Sequence, residues 1–212
     1  MTTIAVVTAG LREPSSTRLL ADRLAEAVRQ DLPAGSVELP VIDLRLYGKA
    51  LMDATLTGFV SPELQSAFDT LASADGLIAV TPAFNASFSG LFKLFFDVLP
   101  LPSLDGMPVL IAATGGTERH SLVLEHSLRP MFSYLHAIVA PTAVYAATSD
   151  FGGDGSDLSP RIDRAAAGFV RLLTACGPRH TPAPAGGDEL DQMRALLGGI
   201  PNTGNPNGTE HR

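Results

Sequence analysis

The chain has 212 residues, a net charge of −7 and a hydrophobic content of 45%. This length suits one domain, because a chain of this size buries roughly 70% of its unfolded surface on folding. The acidic balance and the scattered basic residues argue against a nucleic-acid-binding protein, which needs clustered Lys and Arg. No apolar run reaches the length of a membrane span, and a single cysteine, Cys176, excludes an internal disulfide. We therefore expect a soluble protein of the cytoplasm.

Short apolar runs alternate with segments of helical period along the chain, which is typical of a parallel sheet covered by helices. The predicted strands are residues 4–8, 37–44, 76–80, 107–113 and 138–146. The predicted helices are residues 17–30, 62–72 and 89–98, a stripe of Leu124, Leu128, Met131 and Leu135, and residues 161–174. Pro40 favours an edge position for the second strand, and Pro130 is expected to kink or break the fourth helix.

Two segments depart from this alternation. Residues 45–60 form a connection that is long for a compact domain, and such loops are often lids or contact surfaces. From Gly177 onward the chain is rich in Pro, Gly and Asn. We therefore predict a domain of residues 1–176 and a partly mobile tail of residues 177–212, with a short helix near residues 189–197.

The loop after the first predicted strand has the features of a phosphate site. In an open α/β sheet the ligand lies beyond the carboxyl ends of the strands. Free amides and the helix dipole favour an anion at the start of the following helix, and an arginine adds a charge-assisted hydrogen bond. An ordinary helix cap explains the same residues equally well. The candidate residues are Gly10, Leu11, Arg12, Ser15, Ser16, Thr17 and Arg18.

The loops after the third and fourth predicted strands suit a flat aromatic ring. An aromatic, an amide and small residues follow the third strand, where backbone amides can bond the edge of a ring. Paired glycines follow the fourth strand and let a ligand approach the backbone closely. The alternatives are a turn with Phe84 packed into the core and a plain strand-to-helix turn. The candidate residues are Pro82, Ala83, Phe84, Asn85, Ala86 and Ser87, and then Thr114, Gly115, Gly116, Thr117 and His120.

Two of these loops resemble signatures of one enzyme family. Thr81-Pro82-Ala83-Phe84-Asn85, with Ser89-Gly90-Leu91-Phe92-Lys93 and Asp97, is similar to the T-P-x-Y-N…G-x-L-K-x-x-x-D stretch of NAD(P)H-dependent FMN reductases. Phe84 replaces the usual Tyr. Thr114-Gly115-Gly116-Thr117 and His120, with Leu128-Arg129-Pro130, resemble the T-G-G-T-x-x-H…L-K-P segment of reductases that serve two-component sulfonate monooxygenases. The matches cover residues 4–145 in family order.

The resemblance implies a flavodoxin-like α/β fold, a three-layer sandwich around a five-stranded parallel sheet of order 2-1-3-4-5, and a homodimer or homotetramer. The FMN phosphate would lie on residues 12–18, and the isoalloxazine ring between residues 82–87 and Gly115, Gly116 and Thr117. NADPH or NADH would stack on the ring and pass hydride to its N5, without a catalytic acid or base on the protein. Reduced FMN would then serve a partner flavin-dependent monooxygenase.

Two other functions stay open. One is a reductase of quinones, azo dyes or metal oxyanions with tightly held FMN. The other is a flavodoxin-type electron carrier, which is disfavoured because carriers sandwich the flavin with aromatics and this chain has no Trp and three Tyr.

Neither His120 nor His126 is expected to bind a metal, because six residues of helix point the two side chains in different directions. In relatives linked to sulfonate oxidation, a Tyr or His occupies a one-residue π-type bulge near a subunit contact, and His126 falls at this position. A polar residue on a helix surface is an equally good interpretation of His126.

Overall fold

The computed structural model describes residues 1–152 and 158–179. The chain divides into two compact units, Met1–Thr181 and Pro182–Arg212, and the described residues all belong to the first. The predicted short helix near residues 189–197 and the end of the predicted tail lie outside the described residues. In the described part of the chain, no helix has both the length and the apolar character of a membrane span.

The strands are β1 (Thr2–Thr8), β2 (Val37–Glu38), β3 (Val41–Asp43), β4 (Gly76–Phe84), β5 (Ser87–Phe88), β6 (Pro108–Gly115), β7 (Ile138–Val139) and β8 (Val144–Ala147). The α-helices are α1 (Ser16–Gln30), α2 (Gly48–Thr57), α3 (Pro62–Ala72), α4 (Gly90–Val98), α5 (Arg129–Tyr134) and α6 (Leu158–Cys176). Short 3-10 helices span Leu44–Tyr47, Glu118–His120 and Thr148–Phe151, and a π-helix spans Leu124–Leu128.

The sheet confirms the predicted strand order. β1 pairs with β4, β4 pairs with β6, and both pairings are parallel. The predicted second strand is divided into β2 and β3, which both pair with β1 at the sheet edge. Pro40 lies at this break and its carbonyl accepts the Val6 amide at 2.9 Å. The predicted fifth strand is likewise divided into β7 and β8, which both pair with β6. The order 2-1-3-4-5 of the predicted strands is flavodoxin-like.

Alternate residues of each central strand pack on opposite faces of the sheet, as the pleat requires. One face carries Ile4, Val6, Ile78 and Val80, and packs against α1 and α6. The other face carries Ala5, Val7, Leu77 and Ala79, and packs against α2, α3, α4 and α5. The fold is therefore a three-layer α/β sandwich, as expected.

Residues 45–60 do not form the long connection that the sequence predicts. They contain a 3-10 helix and α2, which buries Leu51 and Ala54 in the core. Gly58 ends α2 with a φ of 72°, which glycine adopts without steric cost. Exposed apolar residues in and beside the helix obscure its amphipathic pattern. They are Met52 and Leu56 within α2, and Leu46 and Phe59 in the residues that flank it.

The predicted loop after the third strand is also more regular than expected. β4 continues through Phe84 and forms a hairpin with β5, in which Ala83 pairs with Phe88. Asn85 and Ala86 form its turn with φ values of 47° and 64°. Two successive left-handed residues suit the right-handed twist of a two-residue hairpin.

The fourth predicted helix is irregular near Pro130, as expected. A π-helix that contains His126 precedes α5, and the Arg129 amide bonds the Leu124 carbonyl five residues earlier. The His126 side chain is exposed. The Arg129 guanidinium donates to both carboxylate oxygens of Glu125, at 2.6 and 2.9 Å, and to the Ala140 carbonyl at 3.1 Å. This contact fastens the π-helix to the segment between β7 and β8.

Arg179 lies just beyond the predicted domain end at residue 176. It packs against the loops that precede β4 and β6, at the amino ends of these strands. Its backbone amide donates to the Asp75 carboxylate at 3.2 Å. Its guanidinium donates to the carbonyls of Ala74, Ser103 and Asp105, at 3.0, 3.1 and 3.2 Å. Residues 177–179 are therefore anchored on the first compact unit.

Candidate flavin-binding site

Three connections at the carboxyl edge of the sheet surround one cavity of about 790 Å³. We call them the phosphate loop (residues 9–15, between β1 and α1), the hairpin (residues 83–88, in β4 and β5) and the glycine loop (residues 115–117, at the end of β6). The sequence-predicted residues that line the cavity are Leu11, Arg12, Ser15, Ser16, Thr17, Pro82, Ala83, Phe84, Thr114, Gly115 and Gly116. These residues come from all three predicted loops.

Other predicted residues do not line this cavity. Gly10 and Arg18 line a smaller neighbouring cavity, and Asn85, Ala86 and Ser87 form the far end of the hairpin. Thr117 ends the glycine loop, and His120 lies in the 3-10 helix that follows it. Four further residues line the large cavity without having been predicted. They are Pro14, Leu19, Thr148 and Phe151. Thr148 and Phe151 belong to the 3-10 helix after β8, which has no sequence pattern typical of a binding loop.

The hydroxyl groups of the phosphate loop and α1 have distinct roles. Ser15 is the N-cap of α1, and its hydroxyl accepts the Arg18 amide at 3.1 Å. The Thr17 hydroxyl forms a buried hydrogen bond of 2.8 Å with the Thr114 hydroxyl. Among the described residues the Ser16 hydroxyl has no hydrogen-bond partner, and it faces the cavity. Ser16 can therefore donate to a phosphate at the start of α1, and so can Ser15, whose hydroxyl accepts from Arg18 and keeps its own proton free.

The two glycines of the glycine loop have different surroundings. A Cβ added to Gly115 would lie 2.0 Å from the Tyr145 hydroxyl, so no side chain fits there. A Cβ added to Gly116 would meet no atom within 4 Å, although Gly116 lines the cavity. Gly115 therefore permits close packing beneath the loop, and Gly116 leaves the cavity side open. The sequence does not distinguish these two roles.

Charge is sparse in the large cavity. Arg12 is the one ionisable side chain among the described residues that line it. The smaller cavity, of about 220 Å³, lies on the other side of the phosphate loop and is lined by Arg12, Arg18 and Arg45 together with Glu13, Asp22 and Asp43. Arg45 forms an ion pair with Glu13, which lowers the pKa of that carboxyl chiefly through the hydrogen bond. The formal charges of this smaller cavity cancel.

The residues around the large cavity fit FMN. Its volume lies within the usual range of roughly 300–1,000 Å³ for ligand sites. One end offers a cation and the start of a helix to a phosphate, and the other offers Phe84, which is 46% exposed, and the open side of Gly116 to a flat ring.

Known proteins resemble this chain over most of its length. Residues 2–152 match the family model described as NADPH-dependent FMN reductase. An FMN reductase (NADPH) of Pseudomonas aeruginosa is 42% identical over 149 residues, which are 70% of this chain and 78% of the relative. The NADH-dependent FMN reductase SfnF of Pseudomonas fluorescens is 39% identical over the same shares of both chains. A crystal structure of an oxidoreductase from Corynebacterium diphtheriae is 46% identical, with a TM-score of 0.78, over 82% of this chain and 98% of that one.

The match covers the phosphate loop, the hairpin, the glycine loop and the 3-10 helix that completes the cavity wall. The relatives are named for different coenzymes, one for NADPH and one for NADH. The chain belongs to the NADPH-dependent FMN reductase family.

Proposed function

We propose that this protein oxidises NADPH or NADH, reduces FMN and releases the reduced flavin to a flavin-dependent monooxygenase. The observation that carries the proposal is the single cavity of about 790 Å³ on which the three loops converge. FMN, when bound, supplies the redox chemistry by accepting hydride from the nicotinamide. The protein supplies binding and orientation, which suits a cavity whose described lining has Arg12 as its one ionisable group.

Each part of the cavity has a task in this function. Arg12, Ser16 and the first amides of α1 hold the phosphate of FMN. Phe84 packs on the ring from the hairpin, and Gly116 admits the ring close to the backbone. The NADPH and NADH names of the relatives support the use of either coenzyme by the family.

We infer the release of FMN from the aromatic residues of the site. Phe84 and Phe151 are the aromatic residues in the described lining of the cavity, and neither has an indole or phenol group. A carrier that keeps its flavin usually stacks it between larger aromatics, so this lining favours exchange. Reduced FMN reacts quickly with oxygen, and an enzyme that releases it is useful beside a monooxygenase that consumes it. We place this reaction in the cytoplasm, which cell fractionation tests.

The deciding experiment mixes the protein with NADPH or NADH and excess FMN in air and follows the absorbance of the reduced coenzyme. Many turnovers of added FMN are expected. Oxidation that needs a quinone and ignores added FMN would instead identify a reductase with tightly held flavin. No oxidation of either coenzyme would indicate an electron carrier. Transfer to a partner is tested separately by adding a flavin-dependent monooxygenase and measuring product formation.

We also infer that the protein forms a homodimer or homotetramer. The exposed apolar residues of the α2 region, which include Met52, Leu56 and Phe59, support a contact between subunits. Light scattering on the eluate of a size-exclusion column measures the mass directly. A monomer at micromolar concentration would contradict this inference and leave the flavin chemistry untouched.

A further inference from the structure

Tyr145 lies directly beneath the glycine loop. It is the second residue of β8, it is 6% exposed, and it belongs to the core cluster on the α2–α5 face of the sheet. Its hydroxyl donates to the Thr117 carbonyl at 2.8 Å. The same hydroxyl occupies the place that a side chain at Gly115 would need, 2.0 Å from an added Cβ. Tyr145 thus meets the loop at two points.

Both ends of Tyr145 are held in place. Its backbone carbonyl accepts a hydrogen bond from the Arg161 guanidinium at 2.6 Å. Arg161 also pairs with the Asp150 carboxylate at 2.8 Å, and Asp150 accepts the Ala147 amide at 2.8 Å. Ala147 is the register partner of Gly115 in the pairing of β8 with β6. These contacts tie α6, β8 and the wall at residues 148–151 to the position of the phenol.

We propose that Tyr145 is a positioning residue that holds the glycine loop in the shape that receives the flavin ring. It is absent from the described lining of the cavity, so it acts through Gly115 and Thr117 and not through FMN itself. The proposal rests on the proposed function, because it assumes that FMN binds at this loop. On this proposal each position requires glycine for a different reason. Gly115 makes room for the phenol, and Gly116 makes room for the ligand.

The protonation state of the phenol suits this task. Burial, and to a smaller extent the charge of Asp150, raise the pKa of Tyr145 above its ordinary value. The hydroxyl therefore stays protonated and able to donate at neutral pH. A phenylalanine at this position keeps the packing of the ring and removes only the donor.

The first experiment compares Tyr145→Phe with wild-type protein by FMN titration, with quenching of flavin fluorescence as the signal. We expect the Kd for FMN to rise about fivefold to tenfold, because FMN must then order a glycine loop that the lost hydrogen bond no longer holds in shape. The FMN-free variant is expected to melt a few degrees below the wild type, because the hydrogen bond is present without FMN, and to exchange the Gly116 and Thr117 amide protons faster. Tyr47→Phe is the matched control, because Tyr47 is half-buried and does not line the cavity.

The second experiment is a double-mutant cycle. Gly115→Ala is expected to weaken FMN binding, because its Cβ collides with the Tyr145 hydroxyl. With Tyr145→Phe added, the nearest remaining atom is a ring carbon 3.1 Å away, which a small shift accommodates. We expect the double variant to bind FMN at least threefold more tightly than Gly115→Ala alone, a coupling that independent sites do not show.

These outcomes distinguish a failure of the positioning role from a failure of the proposed function on which it rests. Failure of the wild-type protein to bind FMN would overturn the proposed function and this inference with it. Binding by the wild type with an unchanged Kd for Tyr145→Phe would overturn the positioning role alone. A double variant that binds no better than Gly115→Ala would also overturn it.

Discussion

The hydroxyl groups of Thr17 and Thr114 form a buried hydrogen bond of 2.8 Å. Thr17 lies in the first turn of α1, and Thr114 lies near the end of β6, 97 positions later in the chain. The bond therefore joins the side of the cavity that would hold a phosphate to the side that would hold a ring. A change at either threonine affects both loops.

Thr114→Val tests this bond. The valine keeps the shape of the side chain but leaves the buried Thr17 hydroxyl without its partner, which costs about 1–3 kcal/mol of unfolding free energy. Urea denaturation measures the loss, and an FMN titration shows whether the binding site loosens with it. Thr114→Ser is the control, because it retains the hydroxyl. Equal stability of the two variants would contradict the structural role of the bond.

Ser15 and Ser16 are adjacent, yet we expect different effects when each is replaced by alanine, one on stability and the other on FMN affinity. Ser15→Ala removes the cap of α1 and lowers the unfolding free energy by about 1 kcal/mol. Ser16→Ala leaves stability unchanged and weakens FMN binding, because its hydroxyl caps no helix amide and can donate to a phosphate in the cavity. Thermal melting without FMN and titration with FMN separate the two effects. Full FMN affinity in Ser16→Ala would rule out this serine as a phosphate ligand.

Gly116→Val is expected to abolish FMN binding without unfolding the protein. An added Cβ would meet no protein atom within 4 Å, and Gly116 lines the cavity, so we expect the valine side chain to take space that the ring needs. Gly90→Val is the control, because Gly90 is equally open and lies outside the cavity lining. Circular dichroism checks the fold of both variants. If Gly116→Val bound FMN normally, the ring would have to lie elsewhere.

Ala86→Gly is expected to stabilise the protein. Ala86 has a φ of 64°, and the left-handed conformation costs a residue with a Cβ about 1–2 kcal/mol. Glycine relieves this strain but loses more backbone freedom on folding, so the expected net gain is about 0.5–1 kcal/mol. In contrast, Ala27→Gly within α1 should lose about 1 kcal/mol. Denaturant unfolding measures both, and a less stable Ala86→Gly would contradict the strain.

The pairing of Glu125 with Arg129 predicts a dependence of stability on pH. The hydrogen bond from Arg129 lowers the pKa of Glu125 below its ordinary value of 4.5. A lowered folded-state pKa means that the stabilisation is present above this value and is lost as the pH falls through the lowered one. The pair is half-exposed, so Glu125→Gln should cost about 0.5 kcal/mol at pH 7 and nothing in strong acid.

The measurement is urea denaturation across the acidic range. Glu118→Gln is the control, because Glu118 forms no ion pair among the described residues. If the loss of unfolding free energy in Glu125→Gln stayed the same below the lowered pKa, the carboxylate charge would not be its source.

Much of the fold follows from local patterns. Unbroken apolar runs such as residues 76–80 predict central strands, and turn residues at their carboxyl ends predict where a ligand binds. The α2 helix escaped prediction because Met52 and Leu56 stay exposed while Leu51 and Ala54 are buried, which leaves no single apolar stripe. The hairpin after β4 escaped because Ala86, unlike glycine, gives no local sign of a left-handed turn.

Local sequence determined the central strands, the three loops and their resemblance to FMN reductases, because strand burial, helix starts and paired glycines depend on neighbouring residues. The strand order was predicted only through that resemblance. Tertiary structure decided which of those residues face the cavity. The Thr17 hydroxyl is hydrogen-bonded to Thr114, and Gly115 leaves room for the Tyr145 hydroxyl. That hydroxyl bonds Thr117, which lies 28 positions earlier in the chain. Contacts between residues so far apart depend on how the strands align side by side, and a single sequence carries no local pattern for them.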